Sequence, residues 1–395
     1  MHVGMRISPT TSICMALLLT GVPVAMVILG ADGALSQHGT GTLVQAPLFT
    51  VVNLHPRGFI KSLALGVSNG QQVGIGVVTG DHNHALLWRG SAESVVDLTP
   101  SGLQAEVHGA CGGQQVGYGY GSAIPTGTPH ALLWRGSAAG MVDLNPNGFE
   151  GSDALSISGE QQVGGGSGPA TGGQDHALVW RGTPASVVDL HPPGFTNSHA
   201  LATSGKEQVG YGSGPDTGGS NHALLWRGSA ASVMDLNPRG FSYSEAHGTA
   251  GRQQVGYGSG PGTGAFPVPG TPFHDHALLW HGSPTSVVDL NPPGFIISYA
   301  YATNGEEQVG TGSGPATHGE GHALLWHGSA ASVVDLHTFL PPGFVRSAAL
   351  AIDAAGDVVG SASTVIGPAG DDYAILWKRN VPKPGTSPEQ NATGC

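Results

Sequence analysis

Apolar residues along this chain fall in short runs, four to six residues long, bounded by glycine, proline, serine and asparagine. From residue 48 to residue 378 no 11-residue stretch carries an apolar stripe at helical spacing. Runs of this length with such boundaries predict β-strands. The runs are also copies of one another. All seven tryptophans end a His-Ala-Leu-Leu-Trp motif or a close variant, at Trp88, Trp134, Trp180, Trp226, Trp280, Trp326 and Trp377. They lie 46, 46, 46, 54, 46 and 51 residues apart. A Val-Val-Asp-Leu motif recurs with Asn53, Asp97, Asp143, Asp189, Asp235, Asp289 and Asp335 in third place. A Gln-Val-Gly motif places Gly74, Gly117, Gly164, Gly210, Gly256 and Gly310, with Gly360 in a Val-Val-Gly variant. A Pro-x-Gly-Phe motif precedes six of the units, and Leu103 replaces its aromatic residue in the second copy.

Each unit therefore reads as four strands. Strand a follows Pro-x-Gly-Phe and carries small residues at alternate positions, as in Ala154, Ser156 and Ser158. Strand b is the Gln-Val-Gly segment, strand c the His-Ala-Leu-Leu-Trp segment, and strand d Val-Val-Asp-Leu. Strand c is almost continuously apolar, as expected of a strand covered on both faces. Four antiparallel strands repeated about every 46 residues predict an all-β, seven-bladed β-propeller. The small residues of strand a suit the crowded innermost position. The larger ones of strand c suit the outer, wider part of a wedge. An open β-solenoid is the rival architecture, but it is built from shorter coils.

The ends of the array favour a closed ring. It begins with a spare strand d at 51–54 and ends with a strand c at 373–377 that lacks its d partner. Pairing the two completes the seventh blade from both ends of the chain and removes exposed sheet edges.

Composition fits this picture. Glycine supplies 66 of 395 residues and proline 28, a level also seen in disordered or collagen-like chains. Glycine does not recur at every third position, and 39% of residues are hydrophobic and evenly spread. The glycine content follows from repetition of one turn-rich unit. Charged residues are 10% of the chain, and 26 acids against 14 bases give a net charge of −12. That balance argues against a nucleic-acid partner, which requires a clustered basic face.

The first 36 residues read as a secretory signal peptide. Arg6 precedes an uncharged apolar stretch, and Ala34-Leu35-Ser36 offers small residues for cleavage before Gln37. A retained membrane anchor is the alternative, because 13–30 is nearly long enough to span a bilayer. No later segment predicts a membrane span. The organisation is thus a signal peptide at 1–36, a linker at 37–47, a propeller at 48–378 and a polar tail at 379–395. The location implied is secreted or cell envelope. Three cysteines do not make a disulfide framework. A bridge between Cys111 and Cys395 is open but not implied. Asn391-Ala392-Thr393 is a glycosylation sequon, a weak signal by itself.

The His-Ala-Leu-Leu-Trp, Gln-Val-Gly and Val-Val-Asp-Leu elements together resemble the extracellular HAF-repeat family, named for a His-Ala-Phe core. Leucine stands here where that family has phenylalanine, and the last copy reads Tyr373-Ala374-Ile375. The resemblance covers the whole array. It implies a secreted or surface-exposed bacterial β-repeat protein and no particular chemistry. The Gly-Gly pair of Kelch repeats and a Trp-Asp strand ending are both absent.

Chemistry has few candidates. The motif histidines (His84, His130, His176, His222, His276 and His322, with Tyr373 in the last copy) occur once per blade, too far apart to share a metal ion. They are expected to pack and hydrogen-bond within blades. The motif aspartates are expected to bind turn amides or the basic residue after each tryptophan, such as Arg89. A group repeated in every blade does not supply the unlike roles that catalysis needs. No catalytic residue, metal site or cofactor is predicted. The glycine-rich b–c loops lack the lysine and following helix of a phosphate loop.

Among the positions that differ between blades is the residue eleven before the Gln-Val-Gly glycine. It reads Leu63, Glu106, Asp153, His199, Glu245, Tyr299 and Ala349. Near the mouth of the channel, Glu106, Asp153, His199, Glu245 and Tyr299 form the one asymmetric polar cluster. They are the candidate site for a cation or a polyol, with solvated strand ends as the plain reading. Two loops, the insertion around Phe266-Pro267-Val268-Pro269 and the extension Thr338-Phe339-Leu340, either form a partner surface or fold back on the ring. The function expected is non-enzymatic binding at the cell surface, to a glycan, matrix polymer or protein. A polysaccharide-acting enzyme with acids at the channel mouth is the alternative, and a purely structural envelope protein is a third reading.

Overall fold

The structure, a computed structural model, describes residues 48–80, 82–124, 127–264, 274–364 and 371–380. The leader, the linker, nearly all of the tail and the Phe266–Pro269 insertion lie outside the described residues. Seven four-stranded antiparallel sheets make up the described fold, a seven-bladed β-propeller. The first complete blade is Lys61–Ser68, Gln71–Val78, His82–Trp88 and Val96–Asp97, paired in that order. The other blades repeat it.

The closing blade draws on both ends of the chain. Its strands Arg346–Ile352, Val358–Ser363 and Asp372–Arg379 are completed by Phe49–Asn53. Val51 faces Trp377 in register and Asn53 faces Ile375. Phe49 and Leu54 are buried at this seam. The Thr338–Leu340 extension packs back onto it: Phe339 meets Phe49 edge-to-face at 5.6 Å.

Period-two alternation places strand c between two neighbours. Leu86 and Trp88 face one way and pack with Ala374 and Leu376 of the closing blade. Ala85 and Leu87 face the other way and pack with Leu132 and Trp134 of the next blade. The same exchange recurs around the ring and gives seven inter-blade apolar clusters. All seven tryptophans are fully buried. Burial of apolar area between wedges, at about 25 cal/mol per Å2, is what holds blades of only four short strands together.

Strand a departs from simple alternation. In every blade it carries a bulge, as between Ala154 and Ser156, and the bulged residue has no partner on strand b. The bulge sets the channel lining described below. The a–b turn of the closing blade is one residue longer than the others, so Ala348 and not Ala349 is the counterpart of Glu106 in register. Cys111 is disulfide-bonded; Cys14 and Cys395 both lie outside the described residues.

Candidate functional site

The repeated polar residues form a latch. In six blades the motif histidine Nδ1 lies 2.7–2.8 Å from Oδ2 of the motif aspartate, from His84–Asp97 to His322–Asp335. The other aspartate oxygen accepts the amide two residues on, as Asp143 does from Asn145. The turn-amide expectation holds. The basic residue after tryptophan is not the aspartate's partner, because the histidine one strand over already occupies it. The blade with Tyr373 in place of histidine is also the one with Asn53 in place of aspartate.

A second element crosses between blades. Buried Ser152 accepts the amide of Ala131 in the preceding blade and donates to Asn145. Ser198, Ser244, Ser298 and Ser347 repeat the amide contact. Ser62 makes it across the ring junction, to Ala374 at 3.0 Å. Blade two has Ala105 at the serine position, and there Thr99 accepts the Ala85 amide directly. These groups satisfy backbone donors that burial would otherwise leave unpaired.

The five candidate residues lie within strand a, on the side of the ring where the d–a and b–c connections emerge. They are not solvated strand ends. Glu245 is 7% exposed and the others are part-buried. The Glu106 carboxylate accepts from Asn83 of the preceding blade at 2.7 Å, from Tyr118 at 2.7 Å and from His108 at 3.3 Å. Glu245 has the same partners in blade five: Asn221 at 2.7 Å, Tyr257 at 3.0 Å and His247 at 3.0 Å. Asp153 accepts from the Gly165 amide at 2.9 Å and pairs with His199 at 3.0 Å. Tyr299 donates to Asp275 at 3.2 Å and meets the Tyr257 ring edge-to-face at 4.8 Å. The belt thus links neighbouring blades pairwise.

Electrostatics follow from these contacts. Burial alone would raise Glu245, but hydrogen bonds from His247 and Asn221 are among the contacts that outweigh it and hold the carboxyl at about 2. Burial opposes the shift of Glu106 too, and bonds from His108 and Tyr118 bring it below the ordinary range. Burial disfavours a charged His199, yet the Asp153 carboxylate beside it raises its pKa overall.

Two hollows adjoin the belt. Where blade seven has Ala348 the ring leaves a cavity of about 300 Å3, lined by Ser347, Ser361, Ser363, Arg346 and Asp372 among others. A second cavity of about 390 Å3 lies on the axis toward the a–b turns, lined by all seven inner strands. None of the five candidates lines it. The bulged residues do: Leu65, Leu155, Leu201 and Leu350 in four blades, His108 and His247 in two, and Tyr301 in one. Among the described residues no group of three or more His, Cys, Asp or Glu can hold a metal ion.

Asp353, on the wall of the axial cavity, gives a pH signature. Burial raises its carboxyl from 3.8 to about 6, with the Asp357 charge adding to the effect. A folded value above the unfolded one stabilises below the unfolded pKa, and that contribution is lost as pH rises through the folded one. Asp353→Asn is therefore expected to gain stability relative to the parent between about pH 4 and 6 and to hold the gain at pH 7. Urea unfolding at both ends of that window checks the sign.

The comparisons with known proteins bear on the fold. No family model matches the sequence, and no curated protein matches it. Among solved structures, a prolyl endopeptidase superposes with a TM-score of 0.51 at 9% identity, over 82% of this chain and 51% of that chain. A puromycin hydrolase superposes with a TM-score of 0.50 at 9% identity, over 79% of this chain and 53% of that chain. The chain spans about half the length of these two proteins. At this identity the likeness shows the propeller fold alone. No helix among the described residues is long and apolar enough to cross a membrane.

Proposed function

We propose that this protein is a secreted or cell-envelope binding module without catalytic activity, of the HAF-repeat type, which engages an extracellular glycan or matrix polymer through the polar belt of strand a. The observation that carries this reading is the state of the belt carboxylates. Glu106 and Glu245 are held ionised by three donors each, in fixed geometry. A glycoside-cleaving site needs one carboxyl that stays protonated near neutral pH. Groups locked in this way orient hydroxyls and do not deliver protons. Ring symmetry adds to the case, since near-identical blades present repeated weak contacts that a polymer engages together. The serine-lined hollow at Ala348 offers acceptors and donors for sugar hydroxyls on the same face.

A glycan array and a polysaccharide-degradation screen on the secreted protein test this. Binding without product release is expected. Alanine at Glu106, Asp153 and Glu245 together should weaken binding by about tenfold or more. Product release would establish the polysaccharide-acting enzyme, and binding of nothing would leave a structural envelope role.

A further inference from the structure

The axial cavity adjoins the belt on the side of the a–b turns and has its own lining. Its two histidines arise from the same four-residue set, written twice: Asn83, Glu106, His108 and Tyr118 around blade two, and Asn221, Glu245, His247 and Tyr257 around blade five. The remaining blades have leucine or tyrosine at the histidine position. In both sets Nε2 faces a glutamate oxygen, at 3.3 Å for His108 and 3.0 Å for His247. An ionised carboxylate only accepts, so Nε2 carries the hydrogen. In the neutral ring that leaves Nδ1 a bare acceptor, and Nδ1 of either ring has no hydrogen-bond partner among the described residues.

The rest of the lining narrows the ligand. No lysine or arginine contributes to the wall, whereas Asp353 does, and Glu106 and Glu245 stand directly behind the imidazoles. An anion would find no counter-charge there. Leu65, Leu155, Leu201 and Leu350 give the wall four aliphatic faces. About 390 Å3 lies in the range of small-molecule sites. We propose that the axial cavity binds a small organic cation, an alkyl ammonium or diamine, whose N–H groups donate to His108 and His247 and whose carbon skeleton packs against the leucines. The high carboxyl of Asp353 fits this, since a cation beside it would favour its ionised form.

The test is calorimetric titration of the full-length protein with four probes: 1,4-diaminobutane, butylammonium, butanol and butyrate. The two amines are expected to bind, the diamine more tightly, with butyrate not binding. The His108→Leu, His247→Leu double variant should weaken the diamine by about tenfold or more. Asp153→Asn, which alters the belt but not the cavity wall, should leave amine binding unchanged. Butyrate binding as well as the amines, or no amine binding, would overturn the proposal on the unaltered protein alone. Unchanged affinity in the double variant would overturn the role of the histidines. Because glycan binding is read on an array and amine binding in solution, the two readings fail independently.

Discussion

Deletion of residues 49–54 is expected to lower the thermal midpoint by about 10 °C or more and to broaden the transition. The segment completes the last blade, with five residues in register from Phe49–Arg379 to Asn53–Ile375. It also delivers Phe49 and Leu54, both fully buried, into the seam. Burying two such side chains contributes about 3–6 kcal/mol, a large share of the 5–15 kcal/mol that a folded domain commands. Loss of the strand also bares an edge of the strand Asp372–Arg379, and an open edge invites pairing with other chains. Differential scanning calorimetry and light scattering read the two consequences. Phe49→Ala is the milder probe, expected to cost about 3–5 kcal/mol. An unchanged midpoint in the deletion would show that the ring does not depend on this closure.

Gly210→Ala is expected to cost about 3 kcal/mol or more, a much larger effect than the same change at Gly240. The two glycines belong to consecutive repeats and serve different ends. Gly240 sits in the Pro-x-Gly-Phe turn at φ +89°, with open space where a Cβ would go. Alanine there meets only the backbone preference, about 1 kcal/mol. Gly210 belongs to the Gln-Val-Gly motif. A Cβ on it would lie 1.9 Å from the His199 carbonyl oxygen on the paired inner strand. The bulge in strand a brings that carbonyl over strand b, and the backbone has nowhere to move because Ala200 is packed against the preceding blade. Each blade shows the same contact, 1.8–2.1 Å, at its Gln-Val-Gly or Val-Val-Gly glycine. Denaturant unfolding of the two variants side by side separates the mechanisms, and equal losses would contradict the packing account.

The inner-strand bulge also explains what remained hidden in the sequence. A strict two-residue period was expected for strand a, and the bulge shifts every residue after it. The residue eleven before the Gln-Val-Gly glycine is therefore the belt position, and the channel position lies two residues further on. Glu106 and Glu245 stand out as acids, while His108 and His247 occupy a position that is leucine in four blades and tyrosine in one. The residue before the motif histidine (Asn83, Asn221, Asp275) meets the belt residue of the next blade (Glu106, Glu245, Tyr299), and the residue after the Gln-Val-Gly glycine (Tyr118, Gly165, Tyr257) meets that of its own blade (Glu106, Asp153, Glu245). Gly165 shows the coupling: the His199 ring of the next blade fills the space its side chain would take. Read across all seven copies at once, the set Asn, Glu, His, Tyr appears twice. The paired change of histidine to Tyr373 and aspartate to Asn53 was similarly present, and it joins the two ends of the chain.

The sequence alone determined the number of blades, their strand order and the closure from both ends. Those features rest on local period, turn chemistry and repetition, which a linear chain displays directly. It also determined which residues are structural, because a group present in every copy serves the copy. Only the tertiary structure decided what the variable residues do. Some of their partners lie on the neighbouring blade, some 20 to 50 residues away, as Asn83 for Glu106 and His199 for Asp153. Whether an acid faces solvent, a hydrogen-bond donor or the axis depends on one bulge and on the packing of adjacent wedges. Neither is written in the period of a single strand.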